Sequence, residues 1–196
     1  PQSVLQDRSG AWWVAADPHG LFRYPRVDSF AKLDRRRPER IFTRRDGLPG
    51  DKVFIVYEDT RGDVWVSVQS GPPHLARLNR QTGRFDTWDT TALPTAFGED
   101  RSGNVWIGTM DKGTWRYRRG KMEHFAKAEG LPPGYILNFY VDRRGGLWIS
   151  TSSSGVVRVP DPDAERPLFQ AISIREGLSS LQGRFAVINP TATGVP

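Results

Sequence analysis

The chain has 196 residues, of which 37% are hydrophobic and 26% are charged, a balance typical of a globular protein with a sizeable core. It contains no apolar run close to the ~20 residues of a transmembrane helix, and no cysteine, which excludes disulfides, thiol catalysis and thiolate metal sites. The net charge of +6 comes from scattered arginines, which are more simply interpreted as solvated surface charge than as a patch for an anionic polymer.

The first predicted element is a turn near the start of the chain, and the same pattern returns three more times. Each copy has an aspartate, a glycine three residues later and a tryptophan six residues after the aspartate. The copies are Asp7, Gly10 and Trp13; Asp59, Gly62 and Trp65; Asp100, Gly103 and Trp106; and Asp142, Gly145 and Trp148. A pattern repeated once per unit is expected to solve a structural problem of that unit rather than to bind a ligand.

The residue types assign a role to each position of this pattern. Aspartate begins a tight turn by accepting hydrogen bonds from nearby backbone, and glycine provides a positive φ. The tryptophan that follows starts a strand, and its large flat ring suits the wedge between two packed sheets. The repeated residues are therefore predicted to form a hairpin and to pack it against its neighbour.

The spacing of the tryptophans predicts the architecture. Successive copies are 52, 41 and 42 residues apart, and periods of ~40–50 residues are typical of β-propeller blades or helical-pair solenoids. The units contain short β-branched runs between turn residues and no sustained helical period. In the second unit we predict strands at 53–58, 64–67, 75–79 and 84–88. The sequence thus predicts an all-β fold, a β-propeller of four-stranded antiparallel blades.

Boundary signals divide the chain into about four blades. Gly47-Leu48-Pro49 and Gly130-Leu131-Pro132 close two of the units. The predicted divisions are 1–50, 51–95, 96–134 and 135–180, with 181–196 as the start of a further blade or a tail. Such an arc would be a partial ring or a fragment with exposed edges, which invite pairing with remaining blades or a second copy of the chain.

The order of these motifs resembles the two-component regulator propeller repeat. The best copy runs from Asp100 to Thr109, followed by Gly113 and Arg116. The resemblance implies a non-catalytic sensor propeller in the extracytoplasmic, periplasmic input region of a bacterial membrane-bound hybrid histidine kinase or a related signalling protein. Any kinase activity would then lie in a domain outside this chain.

Hairpin connectivity predicts which edge of the blades binds a ligand. The loop after each second strand and the connection to the next blade share one face, which usually carries binding in propellers. Polar residues there suit an extracytoplasmic small molecule or oligosaccharide, although ordinary solvated loops have the same composition. The candidates are His19, Arg45, Lys52, His74, Lys112, Tyr135 and Ser153. His124, within a strand, is expected to be structural.

Two other functions remain open from the sequence. The repeat is also similar to that of streptogramin B lyase-like propellers, in which a histidine and a Mg²⁺-binding glutamate act together; His74 or His19 could fill the first role, but only Glu129 is available for the second. A protein-interaction or assembly scaffold is the other alternative. Because no phosphate-binding loop, zinc-spaced cluster or nucleophile motif is present, we expect no catalytic residue, metal or cofactor. We also expect no nucleic-acid partner and no membrane contact.

Overall fold

The computed structural model describes residues 3–72 and 74–172. This part of the chain forms sixteen strands in four antiparallel sheets, and the four strands of each sheet lie side by side in chain order. The prediction of an all-β propeller with four-stranded blades is therefore confirmed.

The first two blades contain eight strands. These are β1 (Val4–Gln6), β2 (Trp12–Ala15), β3 (Leu21–Tyr24), β4 (Arg40–Phe42), β5 (Val53–Glu58), β6 (Val64–Val68), β7 (Leu75–Asn79) and β8 (Arg84–Trp88). The strands predicted for the second unit match β5 to β8, except that β6 continues for one more residue, to Val68.

The third and fourth blades contain the other eight strands. These are β9 (Pro94–Glu99), β10 (Val105–Thr109), β11 (Thr114–Arg118), β12 (Lys121–Phe125), β13 (Ile136–Val141), β14 (Leu147–Thr151), β15 (Val156–Val159) and β16 (Gln170–Ile172). The third sheet thus begins at Pro94, and the segment 181–196, predicted as the start of a further blade or a tail, lies outside the described residues.

Each blade buries one sheet face against the next blade. One apolar cluster joins blades 1 and 2 through residues such as Trp13 and Val66. A second joins blades 2 and 3 around Trp65 and Ile107, and a third joins blades 3 and 4 around Trp106. The tryptophans of the first three repeats therefore lie between blades, as predicted.

The repeated aspartate has two functions at once. In blade 2, one carboxylate oxygen of Asp59 accepts the N–H groups of Arg61 (2.9 Å) and Asp63 (3.0 Å), which shapes the turn. The other oxygen accepts the indole N–H of Trp65 at 3.0 Å. The other three copies repeat this indole bond at 2.8, 2.9 and 2.8 Å. The turn was predicted, but the bond that anchors the tryptophan was not.

The glycine of the pattern also has the predicted conformation. Its φ is positive in all four copies, for example 84° at Gly62. Side chains rarely adopt this region, so the turn between the first and second strands favours glycine.

A long connection distinguishes blade 1 and explains its larger repeat spacing. Between β3 and β4 the chain forms a short 3₁₀ helix, Phe30–Arg35. Val27 and Leu33 from this connection pack on Val14, and the Trp12 indole donates to the Val27 carbonyl at 3.1 Å. The connection therefore covers the face of blade 1 that points away from blade 2.

The helices of the described chain are short 3₁₀ turns of six residues or fewer. None of those within 3–72 and 74–172 has the length and hydropathy needed to cross a membrane. Two of them precede the boundary glycines Gly47 and Gly130, and the leucines that follow, Leu48 and Leu131, are buried between blades. The Gly-Leu motif thus ends one blade and anchors the next.

Candidate ligand-binding face

The strand order brings the predicted loops together at one edge of the arc. In each of blades 2 to 4, the residue after the second strand donates its backbone N–H to the connection that enters the same blade. The bonds are Gln69 to Lys52 (2.8 Å), Met110 to Leu93 (3.1 Å) and Ser152 to Tyr135 (2.9 Å). The loops after the second strands and the connections between blades therefore share one face.

Three candidates lie near the boundary of blades 1 and 2. Asp51 links their loops, because its carbonyl accepts the Gly20 N–H at 2.9 Å and its carboxylate accepts the Arg44 N–H at 3.1 Å. His19, Arg45 and Lys52, each one residue from a member of this network, are exposed. They form an open surface rather than a cleft.

His74 differs from the other candidates because it is half-buried and its ring closes its own loop. Its Nδ1 lies 3.1 Å from the Val68 carbonyl oxygen, and the His74 carbonyl accepts the Val68 N–H at 2.8 Å. These contacts give His74 a structural role in the β6–β7 loop. Contact with a ligand remains a prediction for this residue.

The other three candidates surround a cleft between blades 3 and 4. The cleft has a volume of ≈ 190 Å³, and its lining includes Lys112 and the segment 131–134. Ser153 approaches the same segment, with its hydroxyl donating to the Pro133 carbonyl at 3.4 Å. Tyr135 follows this segment directly and is 44% exposed. Lys112, Tyr135 and Ser153 are thus grouped around one recess.

The cleft combines an apolar floor with a charged rim. Leu131, Pro132 and Pro133 contribute the apolar surface, and Lys112 and Lys127 contribute cations. Asp111, Gly113, His124, Ala126 and Gly134 complete the lining. Apolar contacts beside a few polar groups are characteristic of small-molecule sites, where the polar groups fix orientation.

His124 lines this cleft, and its contacts are structural, in keeping with the expectation for this residue. Its ring is exposed, packs against Trp115 with centroids 4.4 Å apart, and places Nε2 2.6 Å from the Lys112 carbonyl oxygen. Strand alternation could have identified it, because Phe125 faces the core and its neighbour must then face outward. The ring supports the loop that carries Lys112.

Carboxylates with shifted pKa values lie in the turns at the opposite edge. For Asp142, the hydrogen bond from the Trp148 indole is the main cause of a lowered pKa. Burial raises the pKa of Asp7, but hydrogen bonds from Ser9, Trp13 and Arg80 outweigh it and leave the pKa lowered. These shifts stabilise charged turn residues and do not indicate an acid or base at the cleft.

The only glutamate available for a lyase-like metal site is already engaged. The Glu129 carboxylate accepts the Ala126 backbone N–H at 2.8 Å and so caps a 3₁₀ turn. Across the described residues, no group of three or more histidine, aspartate or glutamate side chains could hold a metal ion.

A family model agrees with the repeat that borders the cleft. Residues 130–153 match the family described as two component regulator propeller. This segment runs from the Gly130 boundary through Trp148 to Ser153. The chain therefore carries a two-component regulator propeller repeat, as the motif order indicated.

Solved structures of several functional classes share the fold. The extracellular domain of a B. thetaiotaomicron protein assigned as a hybrid two component system aligns with 87% of this chain and 23% of its own (TM-score 0.61, 19% identity). Virginiamycin B lyase from Staphylococcus aureus aligns over 87% of this chain and 54% of its own (TM-score 0.65, 15% identity). A protein assigned as a gluconolactonase aligns over 87% and 62% (TM-score 0.53, 19% identity).

These likenesses establish the propeller fold. The chain spans less than two thirds of the length of each of these proteins. A search of curated proteins finds no match.

Proposed function

We propose that this chain is part of the extracytoplasmic input region of a bacterial membrane-bound two-component signalling protein, where it binds a small molecule or oligosaccharide without catalysing a reaction. The observation that carries the proposal is the two-component regulator propeller repeat at residues 130–153. The propeller of an extracellular signalling domain with the same fold supports it. Fold alone does not determine function, so the site must be tested directly.

The cleft between blades 3 and 4 is the proposed binding site. Its ≈ 190 Å³ volume suits one sugar ring or a molecule of similar size, with Leu131 and the two prolines beneath the ring. Lys112 and Lys127 would donate hydrogen bonds to hydroxyl or carboxylate oxygens. Tyr135, exposed beside the cleft, would extend the contact to a second ring of an oligosaccharide by stacking.

Thermal unfolding with a panel of neutral and uronic-acid oligosaccharides tests this proposal. A ligand that binds only the folded chain raises the melting temperature by an amount that grows with the logarithm of its concentration above Kd. We expect Lys112→Ala to weaken that response about tenfold in Kd, the value of one lost hydrogen bond to a charged group. Lys121→Ala is the matched control, because Lys121 is exposed at the start of β12, at the opposite edge of the same blade.

Two results would contradict the proposal. One is a panel in which no compound shifts the melting temperature of the folded protein. The other is a shift that Lys112→Ala and Lys121→Ala change equally, because the cleft would then not be the site.

Enzymatic activity is the alternative suggested by the fold shared with virginiamycin B lyase. The contacts of His74 and Glu129 with nearby backbone weigh against it. A Mg²⁺-dependent turnover of a cyclic substrate that is abolished by His74→Ala would favour the enzyme over the sensor.

A further inference from the structure

The four blades share one arrangement of tryptophan and arginine. Within each blade, an arginine of the third strand stacks over the repeated tryptophan, and the next blade then covers the pair. The guanidinium carbon lies 5.8, 5.6, 5.5 and 5.6 Å from the ring centroid for Arg23 on Trp13, Arg77 on Trp65, Arg116 on Trp106 and Arg158 on Trp148. All four blades thus make this pair from their own residues.

At two of the three internal interfaces, the next blade supplies an oxygen acceptor and an aromatic ring to this pair; at the interface of blades 1 and 2, Arg80 of blade 2 instead lies over Trp13 and donates to Asp7. Tyr117 of blade 3 packs its ring 5.2 Å from that of Trp65, and its hydroxyl accepts a hydrogen bond from Arg77 at 2.6 Å. Both Trp65 and Tyr117 are buried as a result.

The interface of blades 3 and 4 uses a loop for the same purpose. The carbonyls of Pro162 and Ala164, from the loop between β15 and β16, accept hydrogen bonds from Arg116 at 2.6 and 2.8 Å. Phe169, which follows this loop, places its ring 6.4 Å from that of Trp106. Arg116 is completely buried by these groups.

A second recurring contact joins the turns of neighbouring blades. Glu58, the last residue of β5, accepts the backbone N–H of Arg8 in the turn of blade 1 at 3.0 Å. Glu99, the last residue of β9, accepts the backbone N–H of Thr60 in the turn of blade 2 at 2.7 Å. At these two interfaces a carboxylate at the end of a first strand therefore fixes the preceding turn, whereas Val141 ends β13 and Arg101 of blade 3 donates to the Asp142 and Arg143 carbonyls instead.

Blade 4 presents the same groups on its outer face without a cover from the described residues. Trp148 and Arg158 are half-buried. A groove of ≈ 480 Å³ lies over them, lined also by Arg143, Arg144 and Ile172 together with Asp142. Three arginines thus face one carboxylate, which Trp148 already engages.

We propose that this outer face of blade 4 binds a further blade of the same repeat type. By continuity with the interfaces of blades 1 and 2 and of blades 2 and 3, that blade carries an acidic residue at the end of its first strand for the Arg143 turn. It also carries a hydroxyl or carbonyl oxygen in or after its third strand for Arg158. The inference is independent of the proposed sensor function, because it rests on the interfaces alone.

A second copy of the chain fits this face less well. Its blade 1 would have to dock there, but Val27 and Leu33 already cover the corresponding face of blade 1. Two blade 4 faces would instead oppose Arg143, Arg144 and Arg158 with their own counterparts, and like charges repel. The charge of the groove therefore selects an acidic partner blade.

Because the chain contains no cysteine, the reactivity of a single introduced thiol measures how well its position is shielded from solvent. Ser67 and Ser150 are equivalent positions, each two residues after the tryptophan of its repeat. Ser67 is completely buried, and its hydroxyl donates to the Pro94 carbonyl of blade 3 at 2.8 Å. Ser150, in contrast, is half-buried. Serine-to-cysteine changes are nearly isosteric, so Ser67→Cys and Ser150→Cys form a matched pair. We expect the thiol at position 150 to react with a soluble disulfide reagent at least about tenfold faster, because position 67 requires local opening.

The identity of the partner on the outer face of blade 4 is tested by attaching a copy of blade 3, which already packs in this way on blade 2. A copy of residues 89–125, which contains Glu99 and Tyr117, is placed directly after Ile172 in the Ser150→Cys chain. Protection of the thiol to the rate seen at position 67 is expected. Changing the glutamate and the tyrosine of the added copy to alanine and phenylalanine should restore at least part of the reactivity.

Three outcomes would overturn the proposal. The thiol at position 150 could be as slow as that at position 67 in the unextended chain. It could remain fast when the extra blade is present. It could also become protected in the unextended chain as concentration rises, with a dimer visible by sedimentation, in which case a second copy is the occupant.

Discussion

Trp65 and Trp148 occupy the same position in their blades, yet only Trp65 is fully buried. Both donate the indole N–H to their own turn aspartate, and both stack with their own third-strand arginine. The aspartate, tryptophan and arginine unit is therefore built within a blade. Its burial, and with it most of the expected stabilisation, comes from the neighbouring blade.

The two ends of the arc differ in the same way. The outer face of blade 1 is covered by the connection between β3 and β4 through Val27 and Leu33, whereas the outer face of blade 4 is an open groove beside Arg158. A terminal face of a repeat array must be covered or made polar to avoid association. Blade 1 uses extra chain for this purpose, whereas the outer face of blade 4 has no cover from the described residues.

Truncating the two tryptophans gives the largest difference between covered and open faces. Trp65→Ala should lower the free energy of unfolding by about 3–5 kcal/mol, the usual cost of removing a buried tryptophan. Trp148→Ala should cost roughly half as much, because part of the ring already contacts solvent. Urea unfolding followed by circular dichroism measures both values, and equal losses would contradict the idea that the neighbour supplies the burial.

Adding a methyl group probes the spacing between blades. A Cβ at Gly108 would lie 2.3 Å from the Ile136 Cγ2 atom of blade 4, so Gly108→Ala should cost about 1–3 kcal/mol through overpacking. Ser150 occupies the same position on the open face, and Ser150→Thr, which also adds a methyl group, should change stability by less than about 0.5 kcal/mol. A similar effect for both variants in urea unfolding would argue that the fourth face is packed in solution.

Removing one acceptor oxygen isolates the polar part of an interface. Tyr117→Phe leaves Arg77 without the 2.6 Å hydrogen bond, and we expect a loss of about 1–2 kcal/mol from a half-buried guanidinium. Tyr140, 56% exposed on a first strand, provides the control, since Tyr140→Phe should have almost no effect. If both changes are neutral, water replaces the tyrosine hydroxyl at the blade 2 and 3 interface.

The sequence was sufficient to predict the repeated elements, because each turn depends on local residue types. Asp59 and Gly62 indicate the hairpin, and the strands around Trp65 follow within a residue of their predicted ends. The bond from Trp65 to Asp59 was missed because it depends on the relative orientation of two side chains, which spacing does not give.

The cleft was less predictable than the blades. Lys112, Tyr135 and Ser153 were correctly placed on one face by connectivity, but their grouping depends on contacts between blades 3 and 4 at Pro133. Contacts between units carry the information that a repeat pattern lacks.

The smallest expected effect concerns acid stability. In the folded chain the pKa values of Asp7 and Asp142 are lowered from 3.8. Burial raises the pKa of Asp7, but its hydrogen bonds outweigh this effect. At Asp142 the hydrogen bond from the Trp148 indole is the largest cause of the lowered pKa. The unfolded chain therefore takes up protons before the folded chain as pH falls. The stabilisation is complete above pH ~4 and is lost as pH drops below it through the folded pKa values.

Urea midpoints measured between neutral pH and about pH 2 should reveal this loss, and Asp7→Asn and Asp142→Asn should each flatten the acid limb. Asparagine removes the titrating charge but has one acceptor oxygen for either the turn N–H groups or the indole, so the slope of the acid limb is compared and not the stability at neutral pH. Asp111→Asn, in the exposed loop after β10, is the control for a general change in net charge. Arg80 of blade 2 donates a hydrogen bond to Asp7 of blade 1. If Asp7→Asn flattens the curve and Asp142→Asn does not, the charge of the turn aspartate stabilises the fold only where a neighbouring blade contacts it. That result would extend the difference between covered and open blades from packing to electrostatics.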